Sequence, residues 1–114
     1  MTECIFCQLI AEPGRTKFLL EDDVGVAFND INPQAPTHVL VVPKRHIASA
    51  KELGEHDAAL FGHLMGLCQQ VTSLTGIREA GYRYVLNTGD NGGQTVNHLH
   101  FHVLGGRQMK WPPG

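Results

Sequence analysis

The stretch Asn97-His98-Leu99-His100-Phe101-His102-Val103-Leu104 alternates three histidines with apolar residues. Side chains on a β-strand point to opposite faces with a period of two. The pattern therefore predicts a strand whose imidazoles share one face, while Leu99, Phe101 and Val103 pack on a core from the other face. Strand geometry would place neighbouring imidazoles on that face about 7 Å apart.

A loop rich in glycine, Asn87-Thr88-Gly89-Asp90-Asn91-Gly92-Gly93-Gln94-Thr95, precedes this strand. Glycines allow backbone N–H groups to approach an anion closely. We expect the N–H groups of Gly93 and Gln94 to hold phosphate oxygens on which charge builds up during a reaction. Imidazoles beside such a loop favour chemistry at phosphorus.

Length and composition limit the classes of protein to consider. A chain of 114 residues is long enough for one domain. The net charge is −2 without a basic run, so we expect no nucleic-acid binding. No apolar run approaches the roughly 18 residues that span a bilayer, and no signal-peptide pattern opens the chain, so we expect no membrane partner and a cytoplasmic location. Three cysteines, an odd number, argue against a disulfide framework.

The hydrophobic patterns predict an α+β fold with a mostly antiparallel five-stranded sheet, one long helix and a short N-terminal helix. The predicted strands are 17–21, 24–28, 38–43, 82–87 and 98–104, with the first two forming a hairpin and 38–43 in the centre. The predicted helices are 3–11 and 53–75. The long helix carries one apolar stripe: Leu60, Leu64, Leu67, Cys68, Val71 and Leu74.

Three interpretations of the histidine row are open. It is a solvated strand face, a three-histidine metal site, or a nucleophile with its helpers. A metal site strains the geometry, because Zn–N bonds of about 2 Å must draw together imidazoles that are widely spaced. A neutral imidazole is a good nucleophile at pH 7, since its pKa is about 6.5. In that interpretation His100 attacks phosphorus, and the Thr95 hydroxyl with His102 supplies a proton to the leaving group.

The motif His98-Leu99-His100-Phe101-His102-Val103-Leu104 is similar to the His-x-His-x-His-x-x signature of the histidine triad (HIT) superfamily. The stretch Phe28-Asn29-Asp30-Ile31-Asn32-Pro33-Gln34-Ala35-Pro36-Thr37-His38 and the segment Gly92-Gly93-Gln94-Thr95 resemble the Hint branch, the purine nucleoside phosphoramidases. So do Gly105-Gly106-Arg107 and the C-terminal Trp111-Pro112-Pro113-Gly114. The resemblance covers nearly the whole chain.

This resemblance implies a single HIT domain over residues 1–114, whose tail, 105–114, contacts the partner in a homodimer. It implies hydrolysis of the P–N bond of AMP or GMP phosphoramidates through a covalent nucleotidyl-histidine. The alternatives are a nucleotide-binding regulatory protein with residual hydrolysis, and a nucleotidyl hydrolase or transferase of another HIT branch.

The same resemblance assigns roles to individual residues. The implied catalytic residues are His100, His102, His38 and Thr95, the last at a position that is more often serine. The implied phosphate and ribose contacts are Asn87, Gly93, Gln94, Thr95, His100, His102 and Asp30. The implied base contacts are Ile5, Phe6, Phe28, Ile31 and Leu40, for which ordinary core packing is the alternative.

The motif Cys4-x-x-Cys7 has three interpretations: two small buried hydrophobes, a redox dithiol, or half of a structural zinc site. Many bacterial HIT proteins carry a zinc site of this kind. By resemblance its ligands here are Cys4, Cys7, His46 and His98. Such a site is closed, four-coordinate and structural, and no catalytic metal is expected beside it.

Overall fold

Two helices and five strands organise residues 3–12 and 14–114, the part of the chain that this structure, a computed structural model, describes. The helices are α1 (Ile5–Ala11) and α2 (Ala58–Leu74). The strands are β1 (Leu20–Glu21), β2 (Gly25–Asn29), β3 (Thr37–Pro43), β4 (Tyr82–Val85) and β5 (Phe101–Gly105). Two 3-10 turns, Ala50–Glu52 and Glu55–Asp57, precede α2. Within the described ranges, no helix has the length and apolar character needed to cross a bilayer.

The strands form one sheet in the order β1-β2-β3-β5-β4, and every neighbouring pair is antiparallel. This arrangement confirms the predicted α+β fold, the hairpin and the central position of β3. Side chains of β3 are buried on both faces of the sheet. Val39 and Val41 belong to the core cluster beneath α2, whereas Leu40 and Val42 pack with Phe6 of α1. His38 and His102 lie on the same face of the sheet as Leu40, the face covered by α1.

Helix α2 begins later than predicted and buries a slightly different stripe. The second 3-10 turn, Glu55–Asp57, occupies the start of the predicted range 53–75, so the helix begins at Ala58. Leu64, Leu67, Cys68 and Val71 are buried as predicted, but Leu74 is 57% exposed, and its assignment to the core is wrong. Thr72 is buried in its place, because its hydroxyl donates to the carbonyl of Gln69 at 2.7 Å and so satisfies its polar atom.

The two leucines give a matched test of this packing. Leu64 is 0% exposed, so Leu64→Ala is expected to lower the free energy of unfolding by about 2–5 kcal/mol. Leu74→Ala, on the same helix, is expected to change it by less than about 0.5 kcal/mol. Urea unfolding of the two variants measures both values, and equal losses would contradict the described core.

Strand β5 is shorter than predicted: it begins at Phe101, so His98 and His100 lie in the irregular segment before it. The β3–β5 pairing stops at Val41 and Phe101. His98 and Leu99, which precede this point, form hydrogen bonds outside the β3–β5 pairing. The Leu99 N–H donates to the Ile47 carbonyl at 2.6 Å, and the His98 ring lies 2.8 Å from the Pro43 carbonyl.

The apolar side of this segment matches the prediction, and its polar side does not. Leu99, Phe101 and Val103 all belong to the core beneath α2. The ring centroids of His100 and His102 are 5.0 Å apart, closer than the spacing of a regular strand face. The histidines are therefore not an evenly spaced row, and each has its own environment.

Candidate active site

Antiparallel pairing of β3 with β5 brings two histidines together. His102 is opposite Leu40, and His38 lies two residues before Leu40, on the same face of the sheet. As a result, Nε2 of His38 lies 2.8 Å from Nδ1 of His102. The His100 ring packs against His102 on the other side, so three imidazoles are contiguous. His98 is 0% exposed and forms part of a different cluster.

The backbone determines which nitrogen of His100 carries the proton. Nδ1 of His100 lies 2.7 Å from the carbonyl oxygen of His98, and a carbonyl can only accept a hydrogen bond. Nδ1 of His100 is therefore the N–H, and Nε2 keeps a free lone pair. His100 is 6% exposed, and the Phe6 ring meets it edge-on with centroids 5.2 Å apart. This tautomer is the one that a nucleophilic histidine requires.

The tautomers of His38 and His102 follow from a second backbone group. The Gln34 N–H donates to Nδ1 of His38 at 3.0 Å, so that nitrogen is an acceptor and Nε2 carries the proton. The Nε2–H of His38 then donates to Nδ1 of His102, which leaves the N–H of His102 on Nε2. Gln34 was not among the predicted site residues, because it contributes a main-chain N–H, which no pattern of side chains reveals.

Burial keeps both of these rings neutral at pH 7. Burial lowers the pKa of His102 to about 4, assisted by the neighbouring His100 and His38, while Asp30 opposes the shift. Burial likewise lowers the pKa of His38, against the opposing effect of Asp30. At neutral pH one hydrogen bond therefore joins His38 and His102, and neither ring carries a charge.

The depressed pKa predicts a loss of stability in acid. In the unfolded chain His102 takes up its proton near its usual pKa of 6.5, whereas in the folded chain it does so near 4. Between these values the unfolded state binds more protons, so the free energy of unfolding falls as the pH is lowered. We expect the free energy of unfolding to fall by about 1–2 kcal/mol. This is less than the full pKa difference would give, because the ring is only half-buried and solvent screens its charge.

Urea unfolding at pH 7 and at pH 4.5, in the wild type and in His102→Gln, measures this dependence. The variant is expected to lose less stability in acid than the wild type. Both proteins contain the same Cys4, Cys7, His46 and His98 cluster, so any acid effect on that cluster cancels in the difference. Identical pH slopes in the two proteins would contradict the assignment to His102.

The residues implied as base contacts divide into two groups. Phe6, Phe28 and Leu40 are buried in the core cluster on the α1 face, where the Phe6 and Phe28 rings meet edge-on at 5.7 Å. Ile31 is fully exposed, and Ile5 is 40% exposed. Ile31 and Ile5 are therefore the solvent-exposed members of this group.

Asp30 connects the base-contact region to the histidine pair. One of its carboxylate oxygens accepts the Asn32 N–H at 2.8 Å, and the other lies 3.4 Å from Nε2 of His38. Its side chain is 19% exposed. The carboxylate is therefore fixed in orientation, with its second oxygen beside the histidine pair.

The glycine loop does not present the two N–H groups that the sequence suggested. The Gly93 N–H donates to the Asp90 carbonyl at 3.0 Å, and the Gln94 N–H donates to the Gly89 carbonyl at 3.1 Å. The expectation that both are open to a phosphate is wrong, because the loop's own turn uses them. The Gln94 amide holds the loop, accepting from the Gly89 N–H and donating to the Ala48 carbonyl.

Thr95 forms no hydrogen bond with the histidine pair within the part of the chain that the structure describes. Its side chain is exposed and lines a cavity of about 510 Å³ together with Ile5, His46 and Asn97. Among the hydrogen bonds of the described residues, none joins its hydroxyl to His102 or His38. Asn87 follows β4 and is half-buried.

Cys4, Cys7, His46 and His98 come together at the start of α1 and could hold a metal ion. Nδ1 of His98 lies 3.3 Å from the Cys4 sulfur, 3.5 Å from the Cys7 sulfur and 3.2 Å from Nδ1 of His46. Nδ1 of His46 lies 3.3 Å from the Cys7 sulfur. Tetrahedral zinc bonds would give separations of about 3.3–3.6 Å between these atoms, so the four ligands fit.

The cluster also has the correct protonation for metal binding. Nε2 of His98 lies 2.8 Å from the Pro43 carbonyl and must be its N–H, which leaves the Nδ1 lone pair directed at the other three ligands. The Cys7 N–H donates to the Cys4 sulfur at 3.4 Å, so this sulfur is also held in place by the backbone of α1.

Comparison with known proteins gives consistent matches. A family model described as the HIT domain matches residues 14–109. An uncharacterized HIT-like protein of Synechococcus elongatus is 46% identical over 112 residues, which are 98% of this chain and 97% of that protein. A HIT family hydrolase from Legionella pneumophila is 42% identical with a TM-score of 0.93, covering 97% of this chain and 99% of that one. A HIT family hydrolase from Clostridium thermocellum is also 42% identical, with a TM-score of 0.91 and 96% of both chains covered.

Proposed function

Because the chain belongs to the HIT-domain family, we propose that it is a purine nucleoside phosphoramidase, a hydrolase that cleaves the P–N bond of AMP or GMP phosphoramidates. The family match and the similarity to HIT family hydrolases support hydrolysis in general. The single observation that carries the specific proposal is the hydrogen bond from Nδ1 of His100 to the His98 carbonyl, which leaves Nε2 as a free nucleophile.

In the proposed reaction, the Nε2 lone pair of His100 forms a bond to phosphorus. The P–N bond breaks, and its electron pair leaves with the amine, which must gain a proton. In this proposal the proton donor is the Nε2–H of His102, whose tautomer is set by the hydrogen bond from His38. The His102 ring packs against the ring of His100, which attacks phosphorus. Water then attacks the nucleotidyl-histidine, its proton returns to Nε2 of His102, and the products are a nucleoside monophosphate, the free amine and neutral His100.

The remaining implied contacts surround this centre in the proposal. Asp30 would accept hydrogen bonds from the ribose hydroxyls with the remaining lone pairs of its carboxylate oxygens. Ile31 and Ile5 would cover the purine from solvent, above the buried rings of Phe6 and Phe28. Asn87, Gly93 and Thr95 would line the phosphate and the leaving amine.

We further propose that the Cys4, Cys7, His46 and His98 cluster binds structural zinc. When bound, the metal would neutralise the two thiolates and pin α1 to the segment that precedes β5. Four protein ligands leave no open position for a substrate, so the ion takes no part in our reaction scheme.

We also propose a cytoplasmic homodimer in which the tail, 105–114, contacts the partner. The exposure of Trp111, 81% in the single chain, supports this role for the tail.

A panel of adenosine substrates tests the proposed reaction. Purified protein is expected to release AMP from an amine-linked phosphoramidate much faster than from a phosphodiester or from AMP itself. A reaction stopped in alkali should contain a chain whose mass has increased by one nucleotidyl group, lost again in His100→Ala. Faster cleavage of the diester would contradict the P–N assignment and favour another HIT branch.

A nucleotide-binding regulatory protein with residual hydrolysis is the second candidate. The observation that favours it is the low exposure of the proposed nucleophile, since His100 is only 6% exposed. Calorimetric binding of AMP without turnover of any phosphoramidate would select this candidate. Turnover through the nucleotidyl-histidine would exclude it.

A further inference from the structure

The loop between β2 and β3, residues 30–36, is held from the C-terminal side of the protein. The Arg107 side chain donates from Nε to the Gln34 carbonyl at 3.1 Å. Gly106 fits against Pro36, where an added Cβ would approach the proline ring to 2.9 Å, and its φ of +92° also favours glycine. Gln34 is thus held at its carbonyl by Arg107, while its N–H is directed at His38.

We propose that the main-chain N–H of Gln34, positioned by Arg107, is the group that sets the direction of the His38–His102 hydrogen bond. The N–H can only donate, so Nδ1 of His38 must accept and Nε2 must carry the proton. His38 is therefore fixed as the donor to His102. Gln34 and Arg107 act through His38 and are positioning residues.

The hydrogen bond from the Gln34 N–H also disfavours metal binding at a second group of potential ligands. This group consists of Asp30, His38 and His102, which each offer one ligand atom. The three atoms lie within 4.8 Å of one another, close enough to hold a metal ion. A metal would need the Nε2 lone pair of His38, but the Gln34 N–H keeps a proton on that nitrogen. Binding a metal there would place a proton on Nδ1, opposite another N–H, and would break the hydrogen bond between His38 and His102.

The inference rests on the proposed function only in its consequence for turnover. If His38 had the opposite tautomer, Nε2 would be an acceptor and the proton order through His102 would reverse. His102 would then face the substrate with a lone pair instead of an N–H, and the leaving amine would lose its donor. The tautomer itself is a property of the free protein and is measurable without any substrate.

Long-range ¹H–¹⁵N correlation spectra of histidine-labelled wild type at pH 7 test the inference directly. We expect His38 to show a protonated Nε2 and an unprotonated Nδ1, assigned by comparison with His38→Gln. A protonated Nδ1 of His38 would overturn the inference whatever the enzyme hydrolyses. The expected tautomer together with an absence of phosphoramidate turnover would instead overturn only the proposed function.

Arg107→Gln tests the positioning role, with Arg83→Gln as the matched control. Both arginines donate to a main-chain carbonyl, the exposed Arg107 to Gln34 and the half-buried Arg83 to Lys110. Arg107→Gln is expected to give a mixed His38 tautomer and about tenfold lower kcat, with KM within about twofold of wild type. Arg83→Gln is expected to keep the wild-type tautomer. An unchanged His38 spectrum in Arg107→Gln would show that Arg107 does not help to fix the His38 tautomer.

Discussion

Replacing His100 with alanine is expected to lower kcat/KM for an AMP phosphoramidate by about 10³- to 10⁵-fold. The loss is large because the ring is the proposed covalent nucleophile and its neighbours have no lone pair in an equivalent position. Nδ1 of His102 is already occupied by the His38 N–H, and His98 belongs to the metal-binding cluster. Steady-state release of AMP measures the effect.

His56→Ala is the control for this experiment, since the His56 side chain is 85% exposed on the turn before α2. It is expected to keep wild-type turnover within about twofold. Circular dichroism should show that both variants are folded. Turnover of His100→Ala within tenfold of wild type would rule out the covalent mechanism, because no other imidazole in the described site presents a free Nε2 lone pair.

Removal of the metal is the second change for which we expect a large effect. A ligand bound at about 1,000 times its Kd stabilises the folded state by about 4 kcal/mol. For a chain of this length, chelation or the double change Cys4→Ser and Cys7→Ser should therefore lower Tm by about 10–15 °C. Metal analysis under reducing conditions should find one zinc per chain in the wild type and none in the double variant.

Cys68→Ala is the control for metal content, since Cys68 is a free cysteine on the buried face of α2 and is not part of the cluster. Burial raises the pKa of its thiol to about 12, so it remains an uncharged core residue at neutral pH. This variant should keep one zinc per chain although it loses packing. Wild type without zinc would refute the ligand set. Loss of activity on chelation at an unchanged Tm would indicate a catalytic ion instead.

The alternation of residues around His100 predicted the apolar half of the site correctly because burial of Leu99, Phe101 and Val103 depends on local strand geometry. It did not predict where the strand begins. That position depends on Pro43 and Ile47, whose carbonyls draw His98 and Leu99 away from the sheet. Tertiary partners of this kind are not visible in the period of a single segment.

Other differences have the same origin. Thr72 is polar by sequence, yet it is buried because its hydroxyl has a carbonyl partner within its own helix. Gly93 suggested an open anion site, but the loop's internal hydrogen bonds use the N–H groups. The cluster of Cys4, Cys7, His46 and His98 joins three segments distant in sequence, so only the resemblance to bacterial proteins suggested it.

His98 belongs to two sites at once: its ring joins the cysteine cluster, and its carbonyl accepts the hydrogen bond from His100. The separation between the two centres is therefore set by covalent bonds and tolerates no insertion or deletion. Anyone transplanting this chemistry onto another scaffold must graft residues 98–100 as one block together with the cysteines. A scaffold that receives the catalytic imidazole alone would leave its orientation undefined.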